Sequence, residues 1–372
     1  MTVRFERPRL AVVKIGSSSL RRADGRLDRD RVADIAEQVV EARAAGTQVV
    51  LVSSGAVAAG MGLLGITARP TDLPTLQACA AVGQGELIQA YQSVLEAHGS
   101  PAAQILMGQD DFVRRGRYLN ARTTIRRLLE LGAVPVINEN DAVANDELAY
   151  GDNDRLAALV ASMLEAQVLV LLSDVDGLFD RDPRRHADAS LLDRVDDLDA
   201  LDALEIGGVG SYVGSGGMRT KVEAARVAVR SAAHAVVAHA HEARIADVLS
   251  GAHVGTWFVA QAQRIEARRL WIGFALNPHG RIHVDAGAAR ALRSNEVSLL
   301  SVGVTAADGE FAAGDAVEVV DPDGSVVARG LTNYDVADVV LVAGRSTTAA
   351  SAEYGSGYAR EVIHRDDLVV LG

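Results

Sequence analysis

The chain has 372 residues, 49% hydrophobic and 23% charged, a length that exceeds one usual core and points to two globular domains. A net charge of −12 and only 4% aromatic residues disfavour a nonspecific polyanion binder and a base-stacking platform, but permit a small phosphate pocket. The single cysteine, Cys79, excludes an intrachain disulfide framework and a multi-thiolate zinc site; no run approaches the roughly 18 apolar residues of a membrane span, and without a signal-peptide core at the N-terminus the expectation is cytoplasmic.

In chain order, RLAVVKIG, TQVVLVSSG, AVPVINEN and AQVLVLLSD are short β-branched or leucine-rich runs that end in polar residues or glycine, the pattern of buried parallel strands. DRVADIAEQVVEARAAG, PTLQACAAVGQGELIQAYQSVLEAHG, YLNARTTIRRLLELG and DRLAALVASMLEA read as helices between them, with Gly46 and Gly132 as stop signals. The alternation predicts an α/β fold with a mostly parallel central sheet, and ligands then bind beyond the carboxyl ends of its strands. HAVVAHAHEA reads as a further strand and its exit, with metal binding by its histidines the lesser reading. After Trp271 the runs GRIHVDAGAARAL, LLSVGVTAADGEF, DAVEVVDPDGSVVARG and DLVVLG are β-rich and separated by turn signals. Residues 1–265 are therefore expected to form the α/β domain, 266–276 a linker, and 277–372 a small β-rich domain.

Of 37 basic residues only two are lysines, Lys14 and Lys221. Arginine presents a planar fork and lysine a compact point charge, so a tight phosphate pocket can demand the latter. Lys14 ends the first strand and is followed by Gly16 and three serines. Amides of such a turn can hold phosphate oxygens, although a plain strand-to-helix turn with an exposed lysine fits as well. SSGAVAAG after the second strand offers Ser53, Ser54 and the Gly55 amide to an anion, or simply caps a helix. VPVINENDAV leads from Asn138 and Asp141 through a polar loop to Gly151, Asp152, Asn153 and Asp154, carboxylates and amides suited to a polar zwitterion, with at least one of them an N-cap. Ser173 and Asp174 stand where LVLLSD ends. GSGGMRTK, ending at Lys221, fails the Walker A pattern because Thr220, not glycine, precedes the lysine. EF-hand, protein-kinase and serine-hydrolase signatures are likewise unmet.

VVKIGSS, SSGAVAAG, VPVINENDAV, GDND, LLSDVDGLF and GSGGMRTK, in this order, resemble the amino acid kinase family, and the β-rich end is similar to a PUA domain. The resemblance covers nearly the whole chain and implies a three-layer sandwich. It also implies ATP-dependent phosphorylation of the γ-carboxylate of L-glutamate, the first step towards proline. Residue by residue, Lys14 and Lys221 would bridge the transferring phosphoryl group, and Asp154 would organise them. Ser54, Asp141 and Asn153 would hold glutamate. Lys14, Ser173 and Asp174, with Ser215, Gly216, Gly217, Met218, Arg219, Thr220 and Lys221, would hold ATP. Mg²⁺ would enter on the nucleotide phosphates without a dedicated protein cage. Feedback by proline, a homo-oligomer and hand-off of product to a glutamyl phosphate reductase are further implications. Another acyl or carbamoyl kinase of the family and a non-catalytic amino-acid sensor are the rivals. An RNA-binding protein is disfavoured, because residues 277–372 hold 14 acidic and 7 basic side chains and no lysine. Neither Lys14 nor Lys221 is assigned to a core, so replacing either is expected to leave folding nearly unaffected.

Overall fold

The computed structural model describes residues 3–22, 24–108, 110–143, 153–183, 185–198, 217–261, 269, 272, 273, 276, 278–294 and 297–371. The chain divides into two compact units, Met1–Ile265 and Glu266–Gly372. Part of the segment expected as a linker packs within the second unit: Ile272 is buried and the Gly273 carbonyl accepts from Arg329 Nη1.

In the first unit the elements run β1 (Leu10–Ile15), α1 (Arg29–Ala44), β2 (Gln48–Ser53), α2 (Ala56–Leu64), α3 (Leu73–Ala97), β3 (Ala102–Met107), α4 (Asp110–Val113), α5 (Arg115–Glu130) and β4 (Val134–Glu139). There follow α6 (Asn153–Leu164), β5 (Val168–Ser173), β6 (Arg194–Val195), α7 (Met218–Arg230), β7 (His234–His239), α8 (Ile245–Leu249) and β8 (Thr256–Phe258). The strands form one sheet in the order β3-β4-β2-β1-β5-β7-β8-β6. All neighbours are parallel except β7 and β8. The three-layer sandwich is thus present, and the central strands are apolar on both faces as burial between two helix layers requires.

Side chains alternate between faces along a strand, and this parity decides which layer each polar residue meets. Ala11, Val13 and Ile15 of β1, Val49 and Leu51 of β2, and Val134 and Val136 of β4 share a core with α1, α3 and α8. Ser53 and Asn138 continue those rows and so face α3. Lys14 has the opposite parity and faces the layer of α6 and α7, which pack on β1 and β5 respectively. Helix α6 is apolar almost all round and buried along its length, as a helix wedged between a sheet and a neighbouring helix must be. Helices α2 and α3 cross with backbones nearly touching: a Cβ on Gly83 would fall 1.8 Å from the Ala56 carbonyl oxygen, and one on Gly60 1.8 Å from that of Cys79. Only glycine permits this approach.

The second unit is a five-stranded sheet ordered β10-β9-β11-β12-β13, built from β9 (Gly280–Val284), α9 (Ala286–Ser294), β10 (Val304–Gly309), β11 (Ala316–Val320), β12 (Val326–Leu331), α10 (Val336–Val342), α11 (Thr347–Tyr354) and β13 (Leu368–Val370). Ile282, Val317, Val319, Val339 and Ile363 lie in its own core. The DPDG turn joins β11 to β12 as a hairpin, and Asp321 Oδ1 accepts from the amides of Asp323 and Ser325 within it. GAARAL, expected as part of a β-rich run, is instead helix α9, whose Ala289 and Leu292 turn into the core at helical spacing. No helix among the described residues is long and apolar enough to cross a membrane.

Candidate active site

Lys14 leaves the end of β1 on the α6–α7 face, Asp154 stands in the first turn of α6, and Lys221 in the first turn of α7. These residues, 207 positions apart at the extremes, meet at one point. Lys14 Nζ lies 2.5 Å from Asp154 Oδ1, and Lys221 Nζ lies 3.1 Å from Asp154 Oδ2. The Thr220 hydroxyl donates to the same Oδ2 at 3.2 Å. Asp154 is wholly buried and each lysine is 4% exposed. Burial alone would raise the Asp154 carboxyl; the ammonium of Lys14 and then that of Lys221 reverse this and hold it below the ordinary carboxylate range. The two ammonium groups meet on this one carboxylate in a low-dielectric place, an arrangement that suits an anion with several oxygens. Helices α6 and α7 are further tied by Arg155 to Glu223 at 2.7 Å. The expectation that the lysines lie outside the core is corrected: both are buried on the carboxylate between sheet and helices, and their replacement bears on stability.

The neighbouring residue of α6 points into a second cluster. Asn153 Nδ2 donates to Ser54 Oγ at 2.9 Å, to Asn138 Oδ1 at 2.8 Å and to the Ser53 carbonyl at 3.3 Å. Asn138 Nδ2 in turn donates to Gln84 Oε1 at 2.8 Å, and Ser53 Oγ bonds the Tyr91 hydroxyl at 3.0 Å. Burial pushes the Tyr91 phenol up to about 12, so it stays a neutral partner. Consecutive residues of one helix therefore join two clusters: Asp154 the lysines, and Asn153 an amide and hydroxyl array against α3. Gly16 links the β1 turn to β5, its amide donating to the Leu172 carbonyl at 3.1 Å.

The model of the amino acid kinase family matches residues 9–239, and that of the PUA domain residues 280–352. A glutamate 5-kinase of Thermobifida fusca is 49% identical over 98% of this chain and 93% of its own length. One of Salinispora arenicola is 48% identical over the whole of both chains, and one of Pseudomonas syringae 49% identical over 97% of each. The chain belongs to the amino acid kinase family, in its glutamate 5-kinase branch.

In this kinase the other expected site residues are placed as follows. Ser173 is buried at the end of β5, and its hydroxyl donates to the exposed Asp174 at 3.1 Å. Gly217 precedes the first turn of α7, where Met218 is half-buried and Arg219 exposed; Arg219 pairs along the helix with Glu223 at 3.1 Å. Ser215 and Gly216 lie outside the described residues, as do Gly151 and Asp152. Asp141 is half-buried beyond β4. Burial pushes its carboxyl up to about 6, with the Arg69 guanidinium pulling the other way. Asp176, His239 and Glu242 bring potential ligand atoms within 4.8 Å of one another. Gln84 and Tyr91 escaped sequence reasoning: inside a helix their spacing marks only a buried stripe, and nothing local says that the stripe meets the polar end of β4.

Proposed function

We propose that this chain transfers the γ-phosphoryl group of ATP to the γ-carboxylate of L-glutamate, giving L-glutamyl 5-phosphate, the first step towards proline. The observation that carries the reading is the buried Lys14–Asp154–Lys221 cluster, joined through Asn153 to the amide and hydroxyl array of Ser54 and Asn138. Ser54, Asn153 and Asp141 hold the amino acid, the Asp141 carboxylate facing its ammonium. Lys14, Ser173, Asp174 and the segment from Ser215 to Lys221 hold the nucleotide.

The substrate carboxylate is already ionised near neutral pH, so no general base is needed. One of its oxygens attacks the γ-phosphorus while the bond to the bridging oxygen of ADP breaks; an acyl phosphate forms, ADP leaves, and no proton moves. Positioning and charge neutralisation carry such a transfer. The two ammonium groups supply the positive charge, and Asp154 keeps them apart from each other and aimed at one place. Mg²⁺ would enter as the companion of the nucleotide phosphates, whose charge it would neutralise when bound.

Feedback by proline, assembly into a homo-oligomer and hand-off of the labile product to a glutamyl phosphate reductase complete the proposal. The test is ATP turnover coupled to ADP detection with a panel of amino acids and carbamate. Glutamate-dependent turnover, with hydroxylamine trapping of the acyl phosphate, is expected; turnover with carbamate or aspartate in its place would overturn the assignment.

A further inference from the structure

Gln84 is a glutamine in the middle of α3, 7% exposed. Its Oε1 accepts from Asn138 Nδ2, while its Nε2 has no hydrogen-bond partner among the described residues. The orientation of these amides is not arbitrary. Asn138 Oδ1 accepts from the Glu139 backbone amide at 2.9 Å as well as from Asn153 Nδ2. A backbone N–H can only donate, so Asn138 must present oxygen on that side and nitrogen towards α3. Gln84 must then offer its oxygen to Asn138, and its own N–H groups are turned away without an acceptor among the described residues.

Packing does not explain this residue. A leucine or methionine would fill the same space in a helix without leaving buried N–H groups unpaired, an arrangement that is unfavourable in itself. The contact lies beside the close α2–α3 crossing at Gly83, the adjacent residue, where this part of α3 meets Ala56. We propose that Gln84 is a positioning residue of the amino-acid site, fixing Asn138, and through it the Asn153 amide and the Ser54 hydroxyl, in the orientation that an amino-acid substrate meets. The inference rests on the reading of that cluster as the glutamate site. If Asn138 were released it could rotate, the acceptor for Asn153 would be lost, and the donor array beside Ser54 would no longer be set before substrate arrives.

The experiment compares Gln84→Met, Asn138→Leu and the double variant by steady-state kinetics, with thermal melts in the presence and absence of glutamate. Methionine keeps length and helix propensity. Gln84→Met is expected to raise the glutamate KM about tenfold, a loss of about 1.4 kcal/mol, while the ATP KM and kcat stay within about twofold, and to shrink the glutamate-induced rise in Tm. Because Gln84 acts through Asn138, the double variant should be no worse for glutamate than Asn138→Leu alone. A wild-type glutamate KM in Gln84→Met, or fully additive losses in the double variant, would overturn the role of Gln84. A wild-type glutamate KM in Asn138→Leu would instead remove the amino-acid site from this cluster. The melts read glutamate binding even in a variant too unstable to assay at working temperature.

Discussion

Lys14 and Lys221 hold one carboxylate from opposite sides, and their chemistry is that of a point charge on a thin stem. Arginine would keep the charge but carries a broader head into a site with 4% exposure. Lys14→Arg and Lys221→Arg are each expected to lower kcat by about 10²–10³, the scale of one lost transition-state contact, while the added bulk lowers stability by about 1–3 kcal/mol. Steady-state kinetics beside thermal melts check both; wild-type kcat in either variant would take that lysine out of the phosphoryl site. At Asp141 the relevant variable is pH. Burial disfavours the charge and pushes its carboxyl up to about 6, and only the charged form pairs with a substrate ammonium. Glutamate affinity should therefore be full above that value and fall as pH drops through it, with KM rising by about tenfold per unit further down. Asp141→Asn should raise KM at neutral pH and flatten this dependence. A wild-type KM that stays level from pH 8 to pH 5 would remove Asp141 from the ammonium's place.

The crossing of α2 and α3 shows how an element positions chemistry that it does not itself perform. Two glycines let the helices approach until backbone meets backbone, and the same α3 bonds Asn138 through Gln84 and Ser53 through Tyr91. Gly83→Ala puts a methyl group into the Ala56 carbonyl, and neither backbone can yield without moving its helix. A loss of about 3 kcal/mol or more is expected, at the upper end for overpacking, together with a raised glutamate KM. Urea unfolding and kinetics on the same preparation test this. Unchanged stability would mean that the helices slide apart freely, and the glutamate array would then owe nothing to their contact.

Each unit buries apolar side chains of its own, and every residue of the lysine cluster and the amide array belongs to the first. A chain ending at Ile265 is expected to fold and to retain glutamate-dependent ATP turnover within about tenfold of the full chain, with assembly or feedback altered. A soluble, cooperatively melting truncation without turnover at saturating substrates would tie the second unit to the chemistry. That unit is acidic overall, 14 acidic against 7 basic side chains over residues 277–372, so weak, salt-sensitive RNA binding is not its expected task.

Much of this protein is written in its order of residues. Strands that are apolar at nearly every position, separated by helix-length segments, admit little but a parallel sheet covered on both faces, and ligands to such a sheet gather where its strands end. The scarcity of lysine singled out Lys14 and Lys221, and the GDND run singled out Asn153 and Asp154, because unusual residue choices survive in one dimension. The helix Ala286–Ser294 was hidden inside a β-rich stretch, since a short amphipathic run of alanines weighs little beside its flanking strands. Which residues touch was decided only in three dimensions. Strand parity sends Lys14 to one helix layer and Asn138 to the other, and α6 bridges them with adjacent residues. That the lysines are buried, and that Gln84 completes the amide chain, depend on how closely helices pack on the sheet and on each other, and that distance is a property of the assembled core.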